Sequence, residues 1–199
     1  MSLVQEIVGL PFQWGGEKHA GWLPKGAVEP KPRPKESDVL DIRIEEESGG
    51  YLLIWTGRLT GRHGDTWHET LQQAEEQAEA NFDIVARQWV KSDIRRAVER
   101  SFPTDVQGVL ESLCALRKGY QAQANLLVLA NGDSDLLGAL MECVNGDWRE
   151  DLTRAIDWKH NYEKDALLPE EIARRFEGLG LPVPKLVAEQ VKERQSRGR

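Results

Sequence analysis

From Asp38 onward the sequence changes polarity at every second residue: Leu40, Ile42 and Ile44 alternate with Asp41, Arg43 and Glu45. Only an extended chain puts every second side chain on one face, so this run commits the segment to a strand with one side on a core. Ser48-Gly49-Gly50 follows with turn chemistry. Tyr51 to Thr56 (YLLIWT) is rich in aromatic and aliphatic residues, so the two runs predict a β-hairpin. After the glycine-punctuated stretch 57–64, a third strand is expected over Thr66 to His68. Thr70 with Gln73 three positions on has the form of a capping box, and it opens LQQAEEQAEAN, a run of strong helix formers. Leu71, Ala74, Ala78 and Phe82 fall near one face of that helix, leaving Glu75, Glu76 and Glu79 to solvent or to a partner. Residues 38–90 thus predict a β-β-β-α domain.

Beyond Trp89 the period-two signal stops and helical signals repeat. Ser92 is placed to cap a helix ending near Phe102-Pro103. Thr104 with Gln107 repeats the capping-box pattern ahead of a stripe of Val106, Val109, Leu110 and Leu113 that stops at Lys118-Gly119. Tyr120 to Ala130 predicts another helix, closed by Asn131-Gly132-Asp133. Leu137, Leu140, Met141 and Val144 carry the next stripe, closed by Asn145-Gly146-Asp147. Trp148, Leu152, Ala155 and Ile156 then give an apolar face to a helix ending near Trp158. Pro169, at the favoured first helical position, opens a helix with Ile172 and Phe176, and Lys185 to Arg194 forms the last. Residues 91–195 therefore predict a helical bundle and 196–199 a disordered tail. The fold class expected is α+β: a small antiparallel three-stranded sheet with one helix, followed by an antiparallel helical bundle.

Residues 1–37, ahead of the first alternating run, read as a loop-rich aromatic and Pro-rich segment. PKGAVEPKPRPK at 24–35 holds four prolines with charges between them, which favours polyproline II and suits a spacer or extended arm. Trp14 and Trp22 lie among glycines and prolines in this segment. They either pack on the domain that follows or meet a partner, and packing is the commoner fate of large aromatics.

The 199 residues carry 33 acidic and 26 basic side chains, a net charge of −7, so coating nucleic acid or an anionic membrane would oppose the protein's own field. The acidity belongs to the N-terminal part: 15 acidic against 9 basic over 1–90, 18 against 17 over 91–199. A basic stretch of Arg87, Lys91, Arg95, Arg96 and Arg100 reads as a solvated helix face balanced by Asp93 and Glu99. The N-terminus lacks the basic and apolar regions of a signal peptide, and no run of 18 apolar residues occurs, so a cytoplasmic protein is expected.

The densest group of reactive side chains is His63-Gly-Asp65-Thr-Trp-His68-Glu69. In an extended chain, alternation puts Asp65, Trp67 and Glu69 on one face, with Thr66 and His68 on the other. A metal site using His63, Asp65 and His68 would therefore need ligands from elsewhere. The plainer expectation is a Gly64-Asp65 turn, Trp67 in the core, and His68 and Glu69 hydrogen-bonded near the helix start. Cys114 and Cys143 sit in apolar helical stretches with no histidine near them in sequence, which fits core thiols. No phosphate-binding glycine loop, nucleophile elbow or CxxC pair is present, and no cofactor is expected.

The segment Tyr51 to Trp89, with its LLIW strand, Gly64-Asp65-Thr66-Trp67-His68 and TLQQAEEQAEANFDI helix, resembles a small uncharacterised bacterial domain whose members are described as hypothetical or immunity-like. LLVLANGD followed by NGDWREDLTRAIDW is similar to a bacterial helical module in which GD turns join helices. Neither resemblance implies a catalytic residue. With the acidic charge, they lead to the expectation of a non-enzymatic immunity- or antitoxin-type inhibitor that occludes a basic protein partner, a toxin or effector. Trp14, Trp22, Asp65, Glu69, Glu75, Glu76 and Glu79 are the expected contact residues. The alternatives are a metal-dependent hydrolase using His63, Asp65 and His68, and a regulatory adaptor binding protein or nucleic acid through the helical half.

Overall fold

The computed structural model describes residues 1–16, 22–28, 30–143 and 167–197. The protein is α+β, and the chain divides into two compact units, Met1–Ile84 and Val85–Arg199. In the first unit, strands β1 (Ser2–Trp14), β2 (Glu36–Glu47), β3 (Gly50–Gly57) and β4 (His63–His68) pair antiparallel in the order β4-β3-β2-β1, and helix α1 (Leu71–Phe82) follows.

The alternation in β2 does what its pattern predicts. Leu40, Ile42 and Ile44 are fully buried, while Arg43 between them is exposed. Register sets Ile42 between Ile7 of β1 and Trp55 of β3, and Ile44 between Gln5 and Leu53, which defines the inner face of the sheet. The β2–β3 turn runs through Ser48 and Gly49, where φ is +92°, a conformation a side chain at Cβ would strain. Helix α1 covers the inner face. Gln5 donates its Nε2 to the Glu75 carboxylate at 2.6 Å, and the Phe82 ring meets Phe12 edge-on at 5.7 Å and Trp55 at 6.0 Å. Ala74 and Ala78 are completely buried, their small size letting the helix sit close to the strands. Thr70 caps the helix as its sequence predicts, its hydroxyl accepting from the Gln73 N–H.

The unit contains four strands where three were expected, because residues 2–14, read as loop-rich, form β1. Two register shifts against β2, between Leu3 and Gln5 and between Ile7 and Leu10, interrupt the alternation that would have revealed it. Gly9 sits in the second irregularity with φ +72°, and its N–H is taken by the Asp41 carboxylate at 3.0 Å. The Pro-rich stretch is accordingly the β1–β2 connection and not a spacer. Its neck is closed where the Gly16 N–H donates to the Arg33 carbonyl, 3.0 Å away.

The second unit begins with a 3₁₀ turn (Ala86–Gln88) and a two-residue strand, β5 (Val90–Lys91). Six helices follow among the described residues: α2 (Ser92–Ser101), α3 (Val106–Leu116), α4 (Tyr120–Ala130), α5 (Ser134–Cys143), α6 (Pro169–Leu179) and α7 (Lys185–Arg197). The helices expected as a bundle gather about α4, which packs against α2, α5 and α6. Ala122 through Val128 are all buried, the polar Gln123 and Asn125 included, and a helix covered on nearly every side belongs at the centre of its neighbours. Three helix ends differ from expectation. Asp105, not Thr104, caps α3, accepting from the Gly108 N–H; Lys91, not Ser92, precedes α2; and α7 runs to Arg197. Asn131 ends α4 in the left-handed region at φ +51°, as the Asn-Gly-Asp turn predicts. The helix expected about Trp148 to Trp158, and the side chain of Cys143, lie outside the described residues.

Candidate functional site

On the side of the sheet away from α1, Glu6 of β1 is buried, and the exposed part lies at the β4 end. Register aligns Leu52 with Trp67, Ile54 with Asp65 and Thr56 with His63, with Glu45, Arg43 and Asp41 as the matching positions on β2. These residues share the outer face, since Leu40, Ile42, Leu53 and Trp55 take the inner one. The exposures agree. Asp65, His63 and Thr56 are exposed, Leu52 and Ile54 half-buried, and Trp67 is 52% exposed. Trp67 was expected in the core. It has the parity of Asp65, so the register that brings Asp65 to solvent brings the indole with it.

The indole is nonetheless held. A Cβ on Gly50 would stand 2.6 Å from Trp67 Cζ2 and 2.8 Å from Cε2, so the ring lies against the bare backbone of β3. On the inner face Gly64 makes the same accommodation for Trp55, where a Cβ would approach the ring to 2.7 Å. One side of the Trp67 ring is thus fixed by packing while much of its area remains available to another molecule.

The charge around this tryptophan is negative. Arg43 is paired with Glu45 at 2.9 Å, Arg58 grips Asp41 through two bonds of 2.6 and 2.8 Å, and Arg62 pairs with Glu36 at 2.8 Å. Asp65 two residues before Trp67, Glu69 two residues after it, and Glu47 opposite Gly50 are exposed and have no ion pair among the described residues. Paired cations beside unpaired carboxylates leave the open face with a net attraction for positive charge.

The remaining sequence-derived site residues do not converge there. Glu75, Glu76 and Glu79 ride on α1, over the opposite face of the sheet. Glu75 accepts from Gln5 at 2.6 Å and Glu76 from Gln72 at 2.8 Å. His63 and Asp65 share the outer face while His68 has inner-face parity and meets the Thr66 hydroxyl at 2.8 Å. Among the described residues no group of three or more His, Cys, Asp or Glu is placed to hold a metal ion. Trp22 is 85% exposed in the β1–β2 connection, at the end of the sheet opposite the β2–β3 turn beside which Trp67 lies. Cys114 is buried. No helix among the described residues is long and apolar enough to cross a membrane.

Trp14 is half-buried and part of the framework. Its ring stacks edge-on against Phe12 at 4.7 Å and lies 5.2 Å from Trp55, with the Arg62 guanidinium 5.1 Å over it. Its Nε1 donates at 2.8 Å to Asp38, a buried carboxylate that also accepts from the N–H groups of Val39 and Leu59 at 2.8 and 2.9 Å and from the Thr60 hydroxyl. Burial pushes the Asp38 carboxyl up. The bonds from Thr60, Trp14, Leu59 and Val39 outweigh it and hold the group well below the usual carboxylate range. Sequence reading missed Asp38 because one aspartate at a strand start carries no signal until its donors are folded round it.

No known family model matches the chain, nor does any curated protein or any solved structure.

Proposed function

We propose that this is a non-enzymatic protein-binding protein whose partner is basic, and that the outer face of the sheet about Trp67 is its docking surface. The observation that carries this reading is an indole pinned on Gly50 yet 52% exposed, beside carboxylates that have no cationic partner among the described residues. A rigid aromatic with one face free is the kind of residue that anchors an interface, and acidic surroundings steer a basic partner toward it and reject an acidic one. An inhibitor of the immunity or antitoxin type, which acts by covering a basic active surface, is the biological role that needs this combination and no catalytic group. Glu75, Glu76 and Glu79 on α1 then contribute to long-range attraction and not to contact.

The test is capture of a stoichiometric basic protein from lysate by the tagged wild-type chain, repeated with variants. Trp67→Ala is expected to weaken that complex roughly 30-fold, about 2 kcal/mol, with Asp65→Lys weakening it roughly 10-fold. The triple reversal Glu75→Lys, Glu76→Lys, Glu79→Lys is expected to slow association while leaving the dissociation rate near wild type. A partner held equally well by folded Trp67→Ala and Asp65→Lys proteins would place the docking surface elsewhere.

A further inference from the structure

β4 ends the strand order, with only β3 beside it among the described residues. Its register with β3 is unbroken over six pairs, from Tyr51 opposite His68 to Thr56 opposite His63. The Gly57 N–H donates to the Arg62 carbonyl at 2.7 Å, and the His68 carbonyl lies so near Gly50 that a Cβ there would stand 2.4 Å from it. Both contacts turn the main chain of the even-numbered residues toward β3. Antiparallel alternation then points the N–H and C=O groups of His63, Asp65 and Trp67 away from the sheet. Those are the same three residues whose side chains occupy the outer face.

Exposed edges are ordinarily blunted by proline, lysine, a bulge or an overlying element. The sequence of β4, His-Gly-Asp-Thr-Trp-His, contains neither proline nor lysine, and its register has no bulge. Thr66 has inner-face parity and is still exposed, so α1 does not overhang the strand at that point. The edge is thus a hydrogen-bonding template that carries an aromatic anchor and a carboxylate on one side.

We infer that the basic partner engages by adding an extended segment to β4, its outer-face side chains being arginine or lysine. This inference rests on the docking reading above and specifies its form. An added strand runs about 4.8 Å from β4, which brings its outer-face side chains directly opposite Asp65 and Trp67. A guanidinium there pairs with the Asp65 carboxylate and stacks on the free face of the indole. Main-chain bonds supply affinity without sequence preference, and the acid–aromatic pair selects the cation. A second copy of the chain is the poorer occupant, because each first unit carries 15 acidic against 8 basic residues.

The experiment titrates the full-length protein with an eight-residue, end-capped peptide of alternating arginine and valine, and reads amide hydrogen exchange together with Kd. Three versions are compared: unmodified, N-methylated on the arginines, and N-methylated on the valines. In an antiparallel pair the residues opposite Asp65 and Trp67 direct their N–H groups at β4, so methylating the arginines blocks pairing while methylating the valines spares it. Binding by the unmodified and valine-methylated peptides, at least tenfold weaker binding by the arginine-methylated one, and at least tenfold slower exchange at His63, Asp65 and Trp67 support the inference. Equal binding by all three peptides, lost in Trp67→Ala, overturns strand addition and leaves the docking face standing. No binding by the unmodified peptide overturns strand addition, and a natural basic partner indifferent to Trp67→Ala overturns the docking face as well. Protection of those three amides in the free protein, rising with its concentration, assigns the edge to a second copy and overturns the inference.

Discussion

Asp38 is a carboxylate taken out of water and given back its solvation by the protein. Trp14, Thr60, Leu59 and Val39 all donate to it, and Gly57 leaves the space, since a Cβ there would collide with its Oδ2. Removing the acceptor strands several donors at once, so Asp38→Ala is expected to cost about 2–3 kcal/mol in urea unfolding. The pH dependence follows from the direction of the shift. The folded-state pKa lies below the ordinary value of 3.8, so the unfolded chain takes up the proton first. The stabilisation is therefore full above that value, begins to fall below it, and is lost as the pH falls through the lower folded-state pKa. Urea midpoints of wild type and Asp38→Asn measured from pH 7 to pH 3 should draw together below about pH 4. A separation that stays constant over that range would mean that the charge on Asp38 contributes nothing.

At the scale of elements, local signals were legible where a single residue type does a single job. Thr70 caps α1, Asn131 ends α4, and Pro169 opens α6, each readable because capping and backbone preference act over a few residues. Where two adjacent residues compete for a role, the pattern misled: Thr104 and Asp105 both suit a cap, and the fold uses Asp105. Asp105→Ala is thus expected to lower stability by about 1 kcal/mol while Thr104→Ala changes it by no more than a few tenths, as thermal or urea melts will show. β1 was hidden for a different reason. Its bulges shift the side-chain phase twice within 13 residues, so no period-two run of useful length survives in the sequence. The helix α2 meets α4 through a tertiary bond that no local pattern announces, from the Tyr120 hydroxyl to Asp93 at 2.6 Å. Burial first, then that bond and the Asp93 charge, push the phenol up.

Over the whole molecule the charge is divided as the units are. Met1–Ile84 holds 15 acidic and 8 basic residues, and Val85–Arg199 holds 18 of each, so the first unit carries the entire net charge of −7. A field concentrated on the unit that bears the proposed docking face is expected to make association with a cationic peptide steeply salt-dependent. Between 50 and 500 mM salt the association rate for the arginine–valine peptide should fall roughly tenfold with a much smaller change in dissociation, as stopped-flow will show. A rate indifferent to salt would remove the electrostatic part of the proposal. The strand alternation at Leu40 to Ile44, the β2–β3 turn, the helix α1 with its cap, and the acidity of the first unit were all written in the sequence, because periodicity, turn chemistry and charge are local or additive quantities. The partnering of Asp38, the strand β1, the opposite sides taken by Asp65 and the α1 glutamates, and the emergence of Trp67 at an open edge were decided only on folding. Each depends on register and on which residues become neighbours across strands, and a one-residue change of register exchanges the two faces of a sheet.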